Sequence, residues 1–293
     1  MKQFTSVAAL REALAAERIQ NRTIGLVPTM GALHEGHLSL ITRAKKECDV
    51  VVVSVFVNPI QFNNQEDLAK YPRTLEADLS KLESVDTDYV LTPTVEEMYP
   101  EPVTDEYHFG QIEEVMEGPQ RPGHFSGVAV VVRRLFDIVE PKRAYFGEKD
   151  FQQIAIIRNL LEQIKYPIEL VPCPIVRAED GLALSSRNMR LSPAARAVAP
   201  TIYATLRKAV EMSKTHSVEE VKEWAVKSLL AFEQPDGTIV NPETYHIFDP
   251  EYFEIVDDTT LQPVKNWEDS KGIVGCITVW LTGVRLIDMI RFK

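Results

Sequence analysis

Through its first 177 residues this chain alternates β-branched runs with helical patterns, and few architectures accept that rhythm. Thr23 to Met30 (TIGLVPTM) predicts a strand and His37 to Cys48 a helix. Asp49 to Val57 (DVVVVSVFV) predicts a fully buried strand, and Thr74 to Ser84 the next helix. A third short strand, TDYVLTP, precedes a long polar excursion from Thr94 to Pro122, rich in acids and prolines. The rhythm resumes with Gly127 to Val139 as a helix, Arg143 to Phe146 as a strand, Phe151 to Lys165 as a helix and Ile168 to Val176 as a last strand. Such alternation implies right-handed crossovers and a parallel, doubly wound sheet of the α/β class. Ligands bind these sheets beyond the carboxyl ends of the strands, so chemistry is expected in the loops after Val27, Val57, Phe146 and Val176.

The last third has a different pattern. Ser192-Pro193 is a cap followed by proline at the first helical position, which predicts a helix running to about Lys214. Ser217 with Glu220 is a capping box, opening a second helix that ends near the Pro235-Asp236-Gly237 turn. Beyond it TYHIF, YFEIVD, GIVGCITVWL and VRLIDMIRF alternate as antiparallel strands do. A chain of 293 residues, 45% of them hydrophobic, exceeds one ordinary domain. The expected division is 1–177 and a smaller α+β domain at 178–293.

A formal net charge of -11 opposes any general attraction to nucleic acid or to anionic membrane, so neither is an expected partner. An anionic ligand must meet a local basic site. The N-terminus carries charges throughout, and no stretch approaches the ~20 apolar residues of a membrane span. Three dispersed cysteines, Cys48, Cys173 and Cys276, without CxxC spacing, fit a reducing cytoplasm.

The most informative stretch is PTMGALHEGH at 28 to 37, where a strand ends, a glycine-containing loop follows and a helix starts near Gly36-His37. A helix start presents N–H groups and positive dipole, which suits phosphate. His34 and His37 lie three apart and share a face if the first turn begins by His34. Read alone, two loop histidines are more often exposed polar groups. Zinc ranks last, because HEGH is not HExxH and no third ligand cluster is evident.

PTMGALHEGHLSLI resembles the HxGH signature of the adenylyl-transferring superfamily, and in its particular form the pantothenate synthetase family. FVNPIQF, YPRTLEAD, RPGHFSGVAVVV, FGEKDFQQ and VRAEDGLALSSRN resemble that family's blocks in its order, over nearly the whole chain. The resemblance implies a Rossmann-like first domain binding ATP and pantoate, a second domain associated with a lid and a dimer, and a homodimeric enzyme. It implies ATP-dependent condensation of (R)-pantoate with β-alanine through a pantoyl adenylate, releasing pyrophosphate and then AMP.

Adenylation needs compensation of charge around the α-phosphate, and His34, His37, Lys149 and Arg187 are the candidates for it. The resemblance places Met30, Gly31, Ala32, Leu33, His34, Glu35, Gly36 and His37 around ATP, and gives His37 the part of catalytic acid or charge stabiliser. It adds Gly147, Glu148, Lys149 and Asp150, then Val176 lining the adenine pocket through its backbone, then Leu184, Ser185, Ser186 and Arg187 as a mobile pyrophosphate clamp. Without it, Lys149 with Asp150 is an ordinary surface ion pair and SSRN a loop and cap.

Gln61 and Gln153, able both to donate and to accept, are given to pantoate, and Gln61 also to β-alanine. Gln152 is the confounder beside Gln153, since consecutive helical residues point about 100° apart. Magnesium accompanies ATP; its ligands are not readable. Asp78 is a candidate contributor; read alone, it is an ordinary exposed helix acid.

The departures are Ala129 where the family commonly has threonine, Asp137 where asparagine is usual, and LIDMI in place of a commoner LIDN. None falls on a residue assigned to chemistry. The excursion at 94–122 is a candidate lid, with Gly118 and Gly123 as hinges. The rival readings are a nucleotidyltransferase acting on a phosphorylated acceptor, an aminoacyl-tRNA synthetase, disfavoured by length and acidity, and a regulatory module that senses ATP without chemistry.

Overall fold

The structure, a computed structural model, describes residues 1–232 and 246–293. It divides into two compact units, one of residues 1–113, 117–148 and 153–174, the other of 114–116, 149–152 and 175–293.

The first unit is a parallel sheet of β1 (Lys2–Phe4), β2 (Ile24–Thr29), β3 (Val50–Val55), β4 (Tyr89–Leu91), β5 (Arg143–Gly147) and β6 (Glu169–Cys173), in the order β1-β4-β3-β2-β5-β6. The order reverses at β2: the chain steps outward to β3 and β4, then returns to place β5 on the other side. Such a switch point opens a crevice at the carboxyl edge, where the loop after β2 emerges.

The alternation was legible because parallel strands are buried on both faces and read as continuous apolar runs, here VVVVSV. Helix starts shift where capping decides them. The helix after β2 runs Glu35–Glu47, with His34 as its N-cap. The helix expected from Gly127 is His124–Val139, beginning after Gly123 at φ +77°. Its apolar stripe, including the fully buried Ala129, Leu135 and Phe136, packs with Leu26, Val52 and Phe146 in the main core. Asp137, on that helix, accepts from Arg133 Nε and from the Tyr166 hydroxyl.

The 94–122 excursion is anchored. Met98 and Phe109 are buried in the first unit's core, Arg134 Nε donates to Met98 O at 3.0 Å, and Tyr107 N donates to Ser126 Oγ at 3.1 Å. Gly118 is not in the left-handed region; a Cβ there would lie 1.6 Å from Glu113 O, so close approach requires the glycine rather than a hinge.

In the second unit β7 (Phe248–Asp257), β8 (Ile273–Leu281) and β9 (Val284–Arg291) form an antiparallel sheet. Ser217 and Glu220 close the expected capping box, with Ser217 N donating to Glu220 Oε2 at 2.8 Å, and open the Val218–Leu230 helix. The single helix expected from Pro193 to Lys214 is instead two, Pro193–Val198 and Thr201–Met212. Pro200 sits at the break, where its ring and missing N–H end an α-helix. The Pro235-Asp236-Gly237 turn and the start of TYHIF lie outside the described residues. All three cysteines are buried thiols outside any disulfide among the described residues, and burial pushes the Cys48 and Cys173 thiols up. Among the described residues no helix is long and apolar enough to cross a membrane.

Candidate active site

The loop after β2 is held by contacts that begin at the strand's last residue. Thr29 Oγ1 donates to Ser54 O at 2.7 Å and accepts from Gly31 N at 3.2 Å. The chain then turns through two left-handed residues, Gly31 at φ +78° and Ala32 at φ +49°. Alanine in that region costs on the order of 1–2 kcal/mol, so neighbouring structure must hold it there. Asp78 does so, accepting from Ala32 N at 2.9 Å and from Leu33 N at 2.7 Å.

His34 and His37 then close a capping box of two imidazoles. His34 Nδ1 accepts from Gly36 N at 3.1 Å, and His37 Nδ1 accepts from His34 N at 3.3 Å; the ring centroids are 4.1 Å apart. A backbone N–H can only donate, so each Nδ1 is an acceptor and each neutral ring carries its proton on Nε2. The two rings therefore offer N–H donors from Nε2 at the positive end of the Glu35–Glu47 helix.

The sequence offered this loop as open backbone N–H groups. Instead, Gly31, Ala32, Leu33, His34, Gly36 and His37 each donate their N–H within the protein. In that tautomer the donors that the two imidazoles carry are their Nε2–H groups.

Gln61 lies in the Pro59–Gln61 turn after β3, only 7% exposed. Its Oε1 accepts from Asn58 Nδ2 at 3.1 Å, and its Nε2 lies 3.2 Å from Met30 Sδ, so Gln61 and the β2 loop meet directly. Asn58 Nδ2 also donates to Gly127 O at 3.1 Å, and its Oδ1 accepts from Tyr99 OH at 2.9 Å. Burial pushes the Tyr99 phenol up, so it stays a donor. A Cβ on Gly127 would lie 2.7 Å from Gln61 Cα, which reserves that position for glycine.

His124, 6% exposed, bridges this group to Arg121. Arg121 Nη1 lies 3.0 Å from Nε2 and can only donate, so Nε2 accepts and Nδ1–H donates to Gln61 O at 2.9 Å. Sequence reading gave neither Asn58 nor His124 a part. FVNPIQF and RPGHFSGVAVVV carry the family resemblance, which gives Gln61 a part but neither Asn58 nor His124.

Gln152 and Gln153 separate as helical geometry requires. Gln152 is buried and donates to Val115 O at 2.8 Å, while Gln153 is half-buried. Asp78 is a correction. It is 1% exposed, not an exposed helix acid, because Asp78 and Leu82 lie one turn apart on the buried face of the Leu75–Ser84 helix. Its oxygens already accept three donors, the third being Thr74 Oγ1 at 3.2 Å. Among the described residues no group of three or more His, Cys, Asp or Glu is placed to hold a metal ion.

Gly147 and Glu148 end the first unit's 117–148 segment, while Lys149, Asp150, Val176 and residues 184–187 belong to the second unit. Lys149 Nζ lies 3.4 Å from Asp150 Oδ2, the pair that the plainer sequence reading expected. Val176 and the 184–187 segment are brought into one loop, Leu184 N donating to Val176 O at 3.0 Å. Ser185 Oγ accepts from Arg187 N at 3.3 Å, capping the Ser186–Arg190 turn. The loop is fixed through Arg177, whose guanidinium grips both oxygens of Asp288 at 2.6 and 2.9 Å and lies 3.6 Å over the Tyr203 ring.

A family model described as pantoate-beta-alanine ligase matches residues 2–291. The chain is 51% identical over 293 residues to a pantothenate synthetase of Porphyromonas gingivalis, covering 100% of both chains. It is 52% identical to one of Bacteroides thetaiotaomicron, covering 100% of this chain and 99% of that one. A crystal structure of pantothenate synthetase from Thermus thermophilus superposes with a TM-score of 0.89 at 42% identity, covering 100% of each chain. A pantoate-beta-alanine ligase from Francisella tularensis, complexed with beta-gamma ATP and beta-alanine, matches with a TM-score of 0.80 at 33% identity, covering 100% of this chain and 98% of that one. With a family match over nearly its whole length and relatives half identical to it, the chain belongs to the pantoate–β-alanine ligase family.

Proposed function

We propose that this ligase joins (R)-pantoate to β-alanine in two steps through an enzyme-bound pantoyl adenylate. In the first, a pantoate carboxylate oxygen attacks the α-phosphorus of ATP, a P–O bond forms, and the bond to the β-phosphate breaks to release pyrophosphate. In the second, the β-alanine amine attacks the activated carbonyl, loses a proton, and AMP leaves with the former carboxylate oxygen. The observation that carries this reading is the imidazole pair whose Nδ1 atoms are engaged by the helix cap, so that both Nε2–H groups serve as donors. Donors fixed in advance suit charge that grows on phosphoryl oxygens.

In this scheme His37 and His34, with Lys149 and Arg187, offset that charge. Gly31, Ala32, Leu33 and Gly36, whose N–H groups donate within the protein, are walls of the nucleotide site, joined by Met30, Glu35, Gly147, Glu148, Asp150 and Val176. Leu184, Ser185 and Ser186 hold pyrophosphate with Arg187. Gln61 and Gln153 orient pantoate, and Gln61 also β-alanine. The Francisella enzyme, described with beta-gamma ATP and beta-alanine, supports the nucleotide and the amine. Magnesium enters with ATP, as part of the substrate, and lowers the charge that these residues must offset.

Pyrophosphate release is the test. With ATP, magnesium and pantoate alone, one burst per active site is expected, becoming steady AMP and pantothenate formation when β-alanine is added. No burst with pantoate, but release with a phosphorylated acceptor, moves the chain to nucleotidyl transfer; no release with any acceptor leaves a nucleotide sensor. The enzyme is further proposed to be a homodimer. Light scattering at working concentration is expected to give about twice the 33.2 kDa of one chain, and a monomer there defeats it.

A further inference from the structure

The Leu75–Ser84 helix grips the loop after β2 at both poles of one peptide unit. Asp78 Oδ1 accepts from Leu33 N at 2.7 Å, and Lys81, three residues along the same helix, donates Nζ to Leu33 O at 2.5 Å. Asp78 Oδ2 holds the preceding Ala32 N, and a Cβ on Gly31 would lie 3.0 Å from that same oxygen. The residue after Leu33 is His34, the helix cap whose own N–H sets the His37 ring. From this chain of contacts we infer that Asp78 is a positioning residue, with Lys81 in support. It fixes the left-handed Gly31–Ala32 turn and, through it, the aim of both imidazoles, without itself touching substrate or metal.

The inference rests on the reading of this loop as the nucleotide's, but the clamp itself is measurable without substrate. A buried carboxylate that only accepts is the group two adjacent N–H donors require. Asp78→Asn keeps the shape, yet turns one of those acceptors into an N–H facing an N–H. Misplacement of a catalytic group by an ångström, or loss of a partner that supports such a group, costs about 10- to 100-fold. Asp78→Asn is therefore expected to lower kcat/KM for ATP by about that factor. The KM for pantoate is expected to stay within about twofold and the magnesium concentration for half activity unchanged, because Asp78 holds Ala32 and Leu33 rather than Met30, the loop residue that meets Gln61.

Amide exchange at Ala32 and Leu33 in the substrate-free enzyme is expected to quicken in the variant. Lys81→Met, at an exposed position that folding tolerates, is expected to show the same ATP-selective pattern at smaller size, and keeps the test open if Asp78→Asn fails to fold. Exchange unchanged at Ala32 and Leu33 overturns the clamp. Quickened exchange with unaltered ATP kinetics overturns the positioning role, and a shifted magnesium requirement overturns it in favour of a metal ligand. If wild-type enzyme gives no pantoate-dependent pyrophosphate, it is the adenylation reading that fails, while the exchange result still judges the clamp.

Discussion

Replacing His37 with alanine is expected to slow pantoate-dependent pyrophosphate release by about 10²- to 10³-fold, the usual cost of removing a preorganised donor from developing charge. The dissociation constant for ATP is expected to move by less than about threefold, since an interaction that strengthens in the transition state acts on rate more than on ground-state affinity. The ring has a second task that confounds this substitution: its Nδ1 accepts from His34 N, and loss of such a cap costs about 0.5–2 kcal/mol. His37→Gln separates the two. Glutamine at the third helical position is an ordinary capping-box partner, so this variant keeps the cap without the imidazole. If His37→Gln remains as slow as His37→Ala, the ring acts on the reaction; recovery to near wild-type rate assigns the whole loss to the cap. Equal losses of rate and ATP affinity in His37→Ala also remove the catalytic role. Rates come from single-turnover quench, affinities from calorimetry.

The parts of this protein that were legible in sequence are those whose cause is local. Buried parallel strands leave apolar runs, so β2, β3, β5 and β6 were found to within a few residues. Capping boxes need partners three apart, which exposed Ser217 with Glu220; for His34 and His37 the same spacing was read only as a shared face, because imidazoles are not the usual capping pair. β1 escaped because Lys2–Phe4 is three residues at a sheet edge, too short for periodicity. Pro200 was readable as a break but was overridden by the longer pattern around it.

The supports of the site escaped for a different reason. Asp78 reaches Ala32 across 46 positions and His124 reaches Gln61 across 63, and nothing local marks either pairing. One signal was available for Asp78: an acid one turn before Leu82, on the apolar face of its helix, must find donors if that face is buried. His124 had the weaker signal of a histidine opening an apolar helix just after a glycine with positive φ, and the φ is not visible in sequence.

The largest stability loss is expected from Arg177→Met. The guanidinium meets Asp288 with a bidentate fork, donates also to Gly181 O and Met289 O, and stacks on Tyr203. The Asp288 side chain is only 4% exposed; burial pushes its carboxyl up while the Arg177 fork pulls it down. Removing the arginine strands the carboxylate in that environment, at a cost of about 3–5 kcal/mol, a large part of the 5–15 kcal/mol that holds typical domains folded. Asp288→Leu in the same chain removes the stranded charge, so the double variant is expected to recover at least about half of the loss. Urea unfolding of the four proteins in this cycle gives the coupling directly. A loss below about 1 kcal/mol in Arg177→Met, or a double variant no better than the single, defeats the account. The same pair ties β9 to the start of the Val176–Leu184 loop, where Arg177 bridges Ala183. A recovered double variant therefore separates folding from function: restored stability with a still-raised KM for ATP shows that the fork also sets the geometry of that loop.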